Sequence, residues 1–412
     1  MSIKTKNLSK KIDEYLENKY SQFHSPAHCG YLNKRDLSEV EGLDDLQEPA
    51  GVLKEAQEAC AKLFGAAESF FLVNGASVGM QVSCIALKLY LEEKKDARPV
   101  LIARNVHKSV IAGIILAGLH IEWLEPEWNS ELGVYSVIAS AALQSSHINN
   151  YSALIITNPT YEGFYSELSL RGDGGDAAIS QPVFIIDEAH GAHYHFSDKL
   201  PKPALDYGAD IVVQSWHKTL GSLTQTGVLH QSKDSKIPAK YIKAALNLLQ
   251  TTSPSYLLLE SLTKVTEKYS SEGKEIIKKN IIRADSLRQY RVSNDDPCRY
   301  IIQVPGYSGE ELDQYLLENK ISVEEVLETS VLAFINPGNS DEDIERLRLA
   351  LEKIPVREVK GEGVKGKERM APSCKQQRIN PRDAFFKEQD IGIEAPCPPG
   401  IAKKVPGQCL PE

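Results

Sequence analysis

Five short apolar runs, separated by stretches with helical patterning, constrain this chain more than any other feature in it. They are Ser69–Val73, Val100–Ala103, Ala153–Thr157, Val183–Ile186 and Asp210–Val213. Runs of four or five residues without polar alternation suit strands buried on both faces. Helix-like stretches such as Leu53–Phe64 and Ser109–Leu119 lie between them. Repeated βα units of this kind predict an α/β fold with a doubly wound, mostly parallel sheet flanked by helices. Ser69–Val73 has short flanks, which also admits an antiparallel placement. The large unit is expected over residues 51–290, after a short amphipathic helix and a Pro- and Gly-punctuated arm over 1–50.

The pattern changes near residue 290. Arg299–Val304 reads as a strand and Gly309–Asn319 as a helix with Leu312, Tyr315 and Leu316 inward. Ser340–Ile354 reads as a second helix, with Ile344, Leu347, Leu351 and Ile354 on one stripe and Ser340 as N-cap. A small α+β domain is therefore expected over 291–356. Residues 357–378 carry seven Lys/Arg against three Glu, with three Gly and no apolar periodicity. They predict a solvated basic linker over 357–379 rather than a nucleic-acid patch. The Pro-rich segment 380–412 is expected to pack on the body.

With 47 basic and 56 acidic residues the chain carries a formal charge of −9, which argues against general nucleic-acid binding. A hydrophobic share of 42% and a charged share of 25% exclude a disordered chain, a collagen and a coiled coil. No apolar run reaches the ~18 residues of a membrane span, and the N-terminus has no signal-peptide core. Seven cysteines, at 29, 60, 84, 298, 374, 397 and 409, form no CxxC pair. Neither a disulfide framework nor a thiolate metal site is expected, and a reducing cytoplasm is the natural compartment.

The chemistry begins at Val183–His195, where a buried strand ends in Asp187 and is followed by His190, His193 and His195. Ligands bind at the carboxyl ends of strands in open α/β sheets. Read as D-E-A-H, the segment imitates a helicase box. That chemistry needs an upstream phosphate loop. The nearest match, Gly361–Glu368, ends in Glu and lies far downstream. Read as a metal site, Asp187 and the three histidines have suitable types for zinc or iron, but their spacing fits no helical metal motif. The plain alternative is a set of satisfied or exposed histidines.

A second strand decides among these. It runs through Gln214-Ser215-Trp216-His217 into Lys218, 31 residues after Asp187. An aspartate and a lysine closing two buried strands fit a pyridoxal phosphate site. The lysine amine condenses with the aldehyde, and the carboxylate pairs with the protonated ring nitrogen. The turn Asn74-Gly75-Ala76-Ser77 leaves a strand and enters a helix, so its backbone N–H groups can cradle a phosphate, with the Ser77 hydroxyl adding a bond. His107 follows another strand and is placed to stack on the ring face. No metal is expected.

Together these segments resemble the Orn/Lys/Arg decarboxylase family, the bacterial basic amino acid decarboxylases of the aspartate-aminotransferase fold. The matching stretches are Gly42–Leu46, Phe70–Gly75, Arg104–Val110, Thr157–Tyr161, Asp187–His193, Ala209–Leu220, Leu249–Leu258, Pro398–Ile401 and Pro406-Gly407. The resemblance covers the chain from about residue 23 to its end. It implies that Lys218 carries the cofactor, Asp187 pairs with the ring nitrogen and His190 lies beside it. It implies that His107 stacks and that Ser77, Ser215 and His217 serve the phosphate, with Gly75 and Ala76 in the cradle. It further implies decarboxylation of arginine, lysine or ornithine by a homodimer or larger assembly. Only the resemblance favours decarboxylation over another pyridoxal reaction, such as transamination or aldol cleavage, or over a non-catalytic paralogue. The chain departs from the family pattern at Ala27 and Cys29 in the arm, and at Cys397 and Gln408 in the tail.

Overall fold

Three of the five apolar runs become strands fully buried along their length, and together with their neighbours they build the central sheet. The computed structural model describes residues 8–143, 148–168 and 181–355, together with Arg357, Pro381, Arg382 and Phe385. The expectations for the basic linker and the Pro-rich tail, including Cys397 and Gln408, lie outside the described residues apart from those last four.

The strands in chain order are β1 (Glu68–Leu72), β2 (Val100–Ala103), β3 (Ile121–Leu124), a small hairpin of β4 (Trp128–Asn129) and β5 (Val134–Tyr135), β6 (Ala153–Thr157), β7 (Val183–Asp187), β8 (Ile211–Gln214) and β9 (Gly227–Gln231). Seven of them form one sheet in the order β1-β9-β8-β7-β6-β2-β3. Pairings among β3, β2, β6, β7 and β8 are parallel, whereas β9 runs antiparallel to both β8 and β1. Ser69–Val73 thus takes the antiparallel placement its short flanks allowed. Strands β2, β7 and β8 are buried at every residue, as parallel strands covered on both faces must be.

The helix α1 (Leu8–Glu17) is followed by the irregular arm, then by α2 (Val52–Phe64), α3 (Gly75–Lys94) and α4 (Lys108–Ala117). α3 and α4 cover one sheet face with the helix Ala239–Leu249. α1, α2 and the 32-residue helix Tyr256–Leu287 cover the other. Glycine lets α3 lie close on the sheet: a Cβ at Gly79 would come within 2.7 Å of Leu72 Cδ1 and Val213 Cγ1.

The long helix spans about 48 Å at 1.5 Å per residue. Its N-terminal part packs in the large unit, while Ala284 and Leu287 join a second core. That core is a four-stranded antiparallel sheet of β10 (Arg291–Val292), β11 (Arg299–Ile302), β12 (Glu325–Val326) and β13 (Val331–Phe334), in the order β10-β11-β13-β12. It packs with the helices Gly309–Glu318 and Asp341–Lys353. Both begin with reciprocal capping boxes, Ser308 with Glu311 and Ser340 with Asp343. Leu132 and Tyr161 pack on Ile301 and Leu332, so the small sheet lies against the loop that follows β6. Among the described residues, no helix is long and apolar enough to cross a membrane.

Candidate active site

Because β6, β7 and β8 run parallel, their carboxyl ends deliver side chains to one edge of the sheet. Thr157 on β6 pairs with Asp187 on β7, and Asp187 pairs with Val213 on β8. β8 then turns through Ser215 into a single helical turn, Trp216–Thr219, which carries Lys218. The Lys218 Nζ lies 3.0 Å from His190 Nε2 and 5.6 Å from the centre of the Tyr161 ring. The Tyr161 ring meets His190 edge-on with centroids 4.6 Å apart.

Asp187 is 4% exposed, and its Oδ1 accepts from the Ala189 backbone N–H at 3.1 Å. Burial pushes its carboxyl up to about 6, against the opposing pull of that hydrogen bond and of the Lys218 charge. A carboxylate beside a ring cation would be held low, so the expected anionic form depends on the partner that a bound cofactor would bring. His190 is held well below the usual histidine range by burial and then by Lys218, so it is a neutral imidazole. A protonated Lys218 amine can only donate, which makes His190 Nε2 the acceptor and puts the ring proton on Nδ1. That buried Nδ1 has no hydrogen-bond partner among the described residues. An unmatched donor beside the lysine suits an acceptor on a bound molecule.

His107 caps α4, its Nδ1 accepting from the Ser109 N–H at 3.1 Å and lying 2.8 Å from the Ser109 hydroxyl. Burial, then the charges of Lys218 and Lys108, push it down to about 4. It is therefore a neutral aromatic ring within the electrostatic reach of the lysine, a state compatible with stacking.

The cradle lies at the start of α3. Gly75 sits at φ +78°, a left-handed turn that glycine adopts without strain, and the free N–H groups of the first helical turn follow it. Ala76 is buried and Ser77 exposed. A Cβ at Gly227 would come within 2.7 Å of the Gln214 carbonyl and 3.1 Å of the Ala76 nitrogen. The α3 N-terminus and the end of β8 therefore meet across a bare backbone. Ser215 is buried there, and its carbonyl accepts from the Lys218 N–H at 3.1 Å. His217 Nδ1–H donates to the Thr226 carbonyl at 3.0 Å. This donor-rich, side-chain-poor edge fits a phosphate, and the lysine, aspartate and neutral histidines fit an aldehyde-bearing aromatic ring.

The four residues of the metal reading do not share a centre. His190 engages Lys218 and Asp187 engages Ala189, whereas His195 packs beside Phe64 at 5.0 Å. His193 Nε2 lies 2.9 Å from Asp296 Oδ2, tying the loop after β7 to the segment entering β11. Three further residues at the site are given no role by any pattern in the sequence. Tyr161 falls in a noted motif without an assigned task, and its hydroxyl donates to Glu324. Arg299 donates from Nη2 to the His190 carbonyl at 3.3 Å and stacks over Phe334 at 3.9 Å. Glu324 and Arg299 come from the small unit, where no local pattern announces them.

A parallel sheet edge with lysine and aspartate on adjacent strand ends, beside a helix N-terminus, is the arrangement that suits a pyridoxal-phosphate enzyme of fold type I. Solved structures agree on the fold. The chain is similar to the constitutive lysine decarboxylase of Escherichia coli, with a TM-score of 0.76 and 19% identity, covering 98% of this chain and 75% of that one. It is also similar to an alanine–glyoxylate aminotransferase from Nostoc, with a TM-score of 0.54 and 16% identity, covering 75% and 88%. The model of the Orn/Lys/Arg decarboxylase major domain matches residues 16–304. An arginine decarboxylase of Bacillus subtilis is 32% identical over 92% of this chain and 82% of its own. A lysine decarboxylase of Pseudomonas aeruginosa is 25% identical over 68% of this chain and 42% of its own. The chain belongs to the Orn/Lys/Arg decarboxylase family, and it is an amino acid decarboxylase.

Proposed function

We propose that this chain converts arginine to agmatine and CO2, using pyridoxal phosphate carried on Lys218. The observation that carries the reading is the 3.0 Å contact between Lys218 Nζ and the neutral His190, at the strand end next to Asp187. The similarity to an arginine decarboxylase over most of both chains favours arginine among basic substrates.

Lys218 would hold the cofactor's aldehyde carbon, and Asp187 would face its ring nitrogen. His107 would stack on the ring, with His190 beside it. Gly75, Ala76, Ser77, Ser215 and His217 would surround the phosphate. When bound, the cofactor supplies a sink for the electron pair left on Cα as CO2 departs. The residues of this chain do the rest. Asp187, once ionised, stabilises positive charge at the ring nitrogen. His190 accepts a hydrogen bond from the Lys218 amine, which fixes the direction in which that amine points. Glu324, hydrogen-bonded to Tyr161 beside the lysine, offers a carboxylate to a guanidinium.

The reading includes a cytoplasmic homodimer. Phe23, Tyr31 and Leu32 on the arm are 97%, 81% and 71% exposed, an apolar surface suited to burial against a second copy. Incubating purified protein with pyridoxal phosphate and arginine, lysine or ornithine in turn, while measuring CO2 and amine, tests the proposal. Preferential agmatine formation is expected. Oxo-acid formation without CO2 would replace decarboxylation with transamination.

A further inference from the structure

Behind the sheet edge that carries Asp187 and Lys218, a chain of buried polar side chains runs from the end of β7 across β8 and β9 to β1. Glu188 directly follows Asp187. Its Oε2 accepts from Gln214 Nε2 at 2.6 Å and its Oε1 from the Ala204 N–H at 2.7 Å. Gln214 Oε1 accepts from Trp216 Nε1–H at 2.9 Å and lies 3.1 Å from His230 Nε2. His230 Nδ1 lies 2.7 Å from the Ser69 hydroxyl. Each of these residues is at most 3% exposed.

The directions of these bonds follow from their chemistry. An indole N–H only donates, so Gln214 must present its oxygen to Trp216 and its NH2 to Glu188. His230 Nε2 faces the same oxygen and must carry a proton. His230 Nδ1 then accepts from Ser69. Burial pushes His230 down to about 3, so this single neutral tautomer persists at working pH. Every link has one donor and one acceptor.

The chain also joins the two ends that matter for chemistry. Glu188 is bonded to Asp187, and its N–H donates to the Val213 carbonyl at 2.9 Å. Gln214 is bonded to Ser215, and Trp216 opens the helical turn that bears Lys218. Trp216 and His230 are both braced by the Phe64 ring, at 5.3 and 4.8 Å. Neither Glu188 nor Gln214 needs to touch a ligand to matter. A shift of about 1 Å in a reacting group can lower a rate about a hundredfold.

We propose that Glu188 and Gln214 are positioning residues: their reciprocal pair, anchored through Trp216 and His230 to Ser69, sets the placement of the Asp187 carboxylate relative to the Lys218 amine. The inference rests on the functional reading above.

The pair offers a swap as its test. Glu188→Gln sets an NH2 against the NH2 of Gln214. Gln214→Glu sets two carboxyls face to face, which must share a proton because burial already pushes Glu188 up to about 8, and it removes the NH2 from which Glu188 accepts. The double variant restores every donor and acceptor: Gln at 188 donates to Glu at 214 and still accepts from Ala204, while Glu at 214 still accepts from Trp216 and His230. Three quantities are read for each protein: affinity for pyridoxal phosphate, the wavelength of its borohydride-reducible band, and kcat against KM for arginine. Each single variant is expected to lose at least about tenfold in cofactor affinity and in kcat with a shifted band, and the double to return to within about threefold of wild type. Trp216→Phe, which removes one N–H and keeps an aromatic body, gives an intermediate loss and substitutes for any single variant that fails to fold. Single variants that melt earlier yet keep the wild-type band, affinity and kcat would overturn the positioning role. So would a double variant no better than the singles. A wild-type protein without a reducible band would overturn the functional reading and this inference with it, whereas a normal band in every variant overturns this inference alone.

Discussion

Asp187→Asn should stabilise the cofactor-stripped protein while destroying its activity. Burial raises the Asp187 carboxyl from the ordinary 3.8 to about 6. A carboxyl whose folded pKa exceeds its unfolded value binds its proton more tightly in the fold. It contributes stability below the unfolded value, and that contribution is lost as pH rises through about 6. The difference, about 2.2, at about 1.36 kcal/mol per pKa unit, makes the ionised carboxylate cost the fold about 3 kcal/mol. Asparagine keeps the shape and can still accept from the Ala189 N–H, but it carries no charge to desolvate. Urea titrations of stripped wild type and variant between about pH 4 and about pH 8 measure this. The variant should be more stable by about 3 kcal/mol at the alkaline end, with the gap closing toward the acid end. With saturating pyridoxal phosphate the order should reverse, because only the aspartate gains from a ring cation. A stripped variant less stable than wild type at neutral pH, or a gap that ignores pH, would refute the account of Asp187 as a charge buried for function.

Other substitutions probe separate links. Gly227→Ala drives a Cβ into the Gln214 carbonyl and the Ala76 nitrogen, so it should cost about 1–3 kcal/mol by overpacking and weaken cofactor binding, read by melting and by titration of the stripped protein. Glu324→Gln removes a carboxylate beside Tyr161 and should raise KM for arginine about tenfold or more with a smaller change in kcat. Ser340→Ala removes the cap of the last helix of the small unit and should lower stability by about 1 kcal/mol without altering KM.

The strands that carry the site were the most legible part of the sequence. Val183–Asp187 and Ile211–Gln214 are apolar and short because both faces are covered, and a polar residue in such a run marks where the sheet ends. Ile121–Leu124 is not legible as a strand because it lies at the sheet edge, where Glu122 faces solvent and breaks the run. Gly227–Gln231 is not legible either. Glycine opens it and two polar residues close it, His230 serving the buried hydrogen-bond chain and Gln231 donating to the Ile237 carbonyl, and these disguise an interior strand. The capping serine at 340 was readable because its chemistry is local. Glu324 and Arg299 are not, since they reach the site across the boundary between the two units, and no spacing along the chain encodes that approach.

The most direct test of the account is borohydride reduction of the protein loaded with pyridoxal phosphate, followed by peptide mapping. One modified lysine, Lys218, is expected, with no stable adduct in Lys218→Ala, which should fold normally because the side chain is only partly buried and adds little packing. Label on a different lysine, or an unmodified protein that still releases CO2 from arginine, would contradict it.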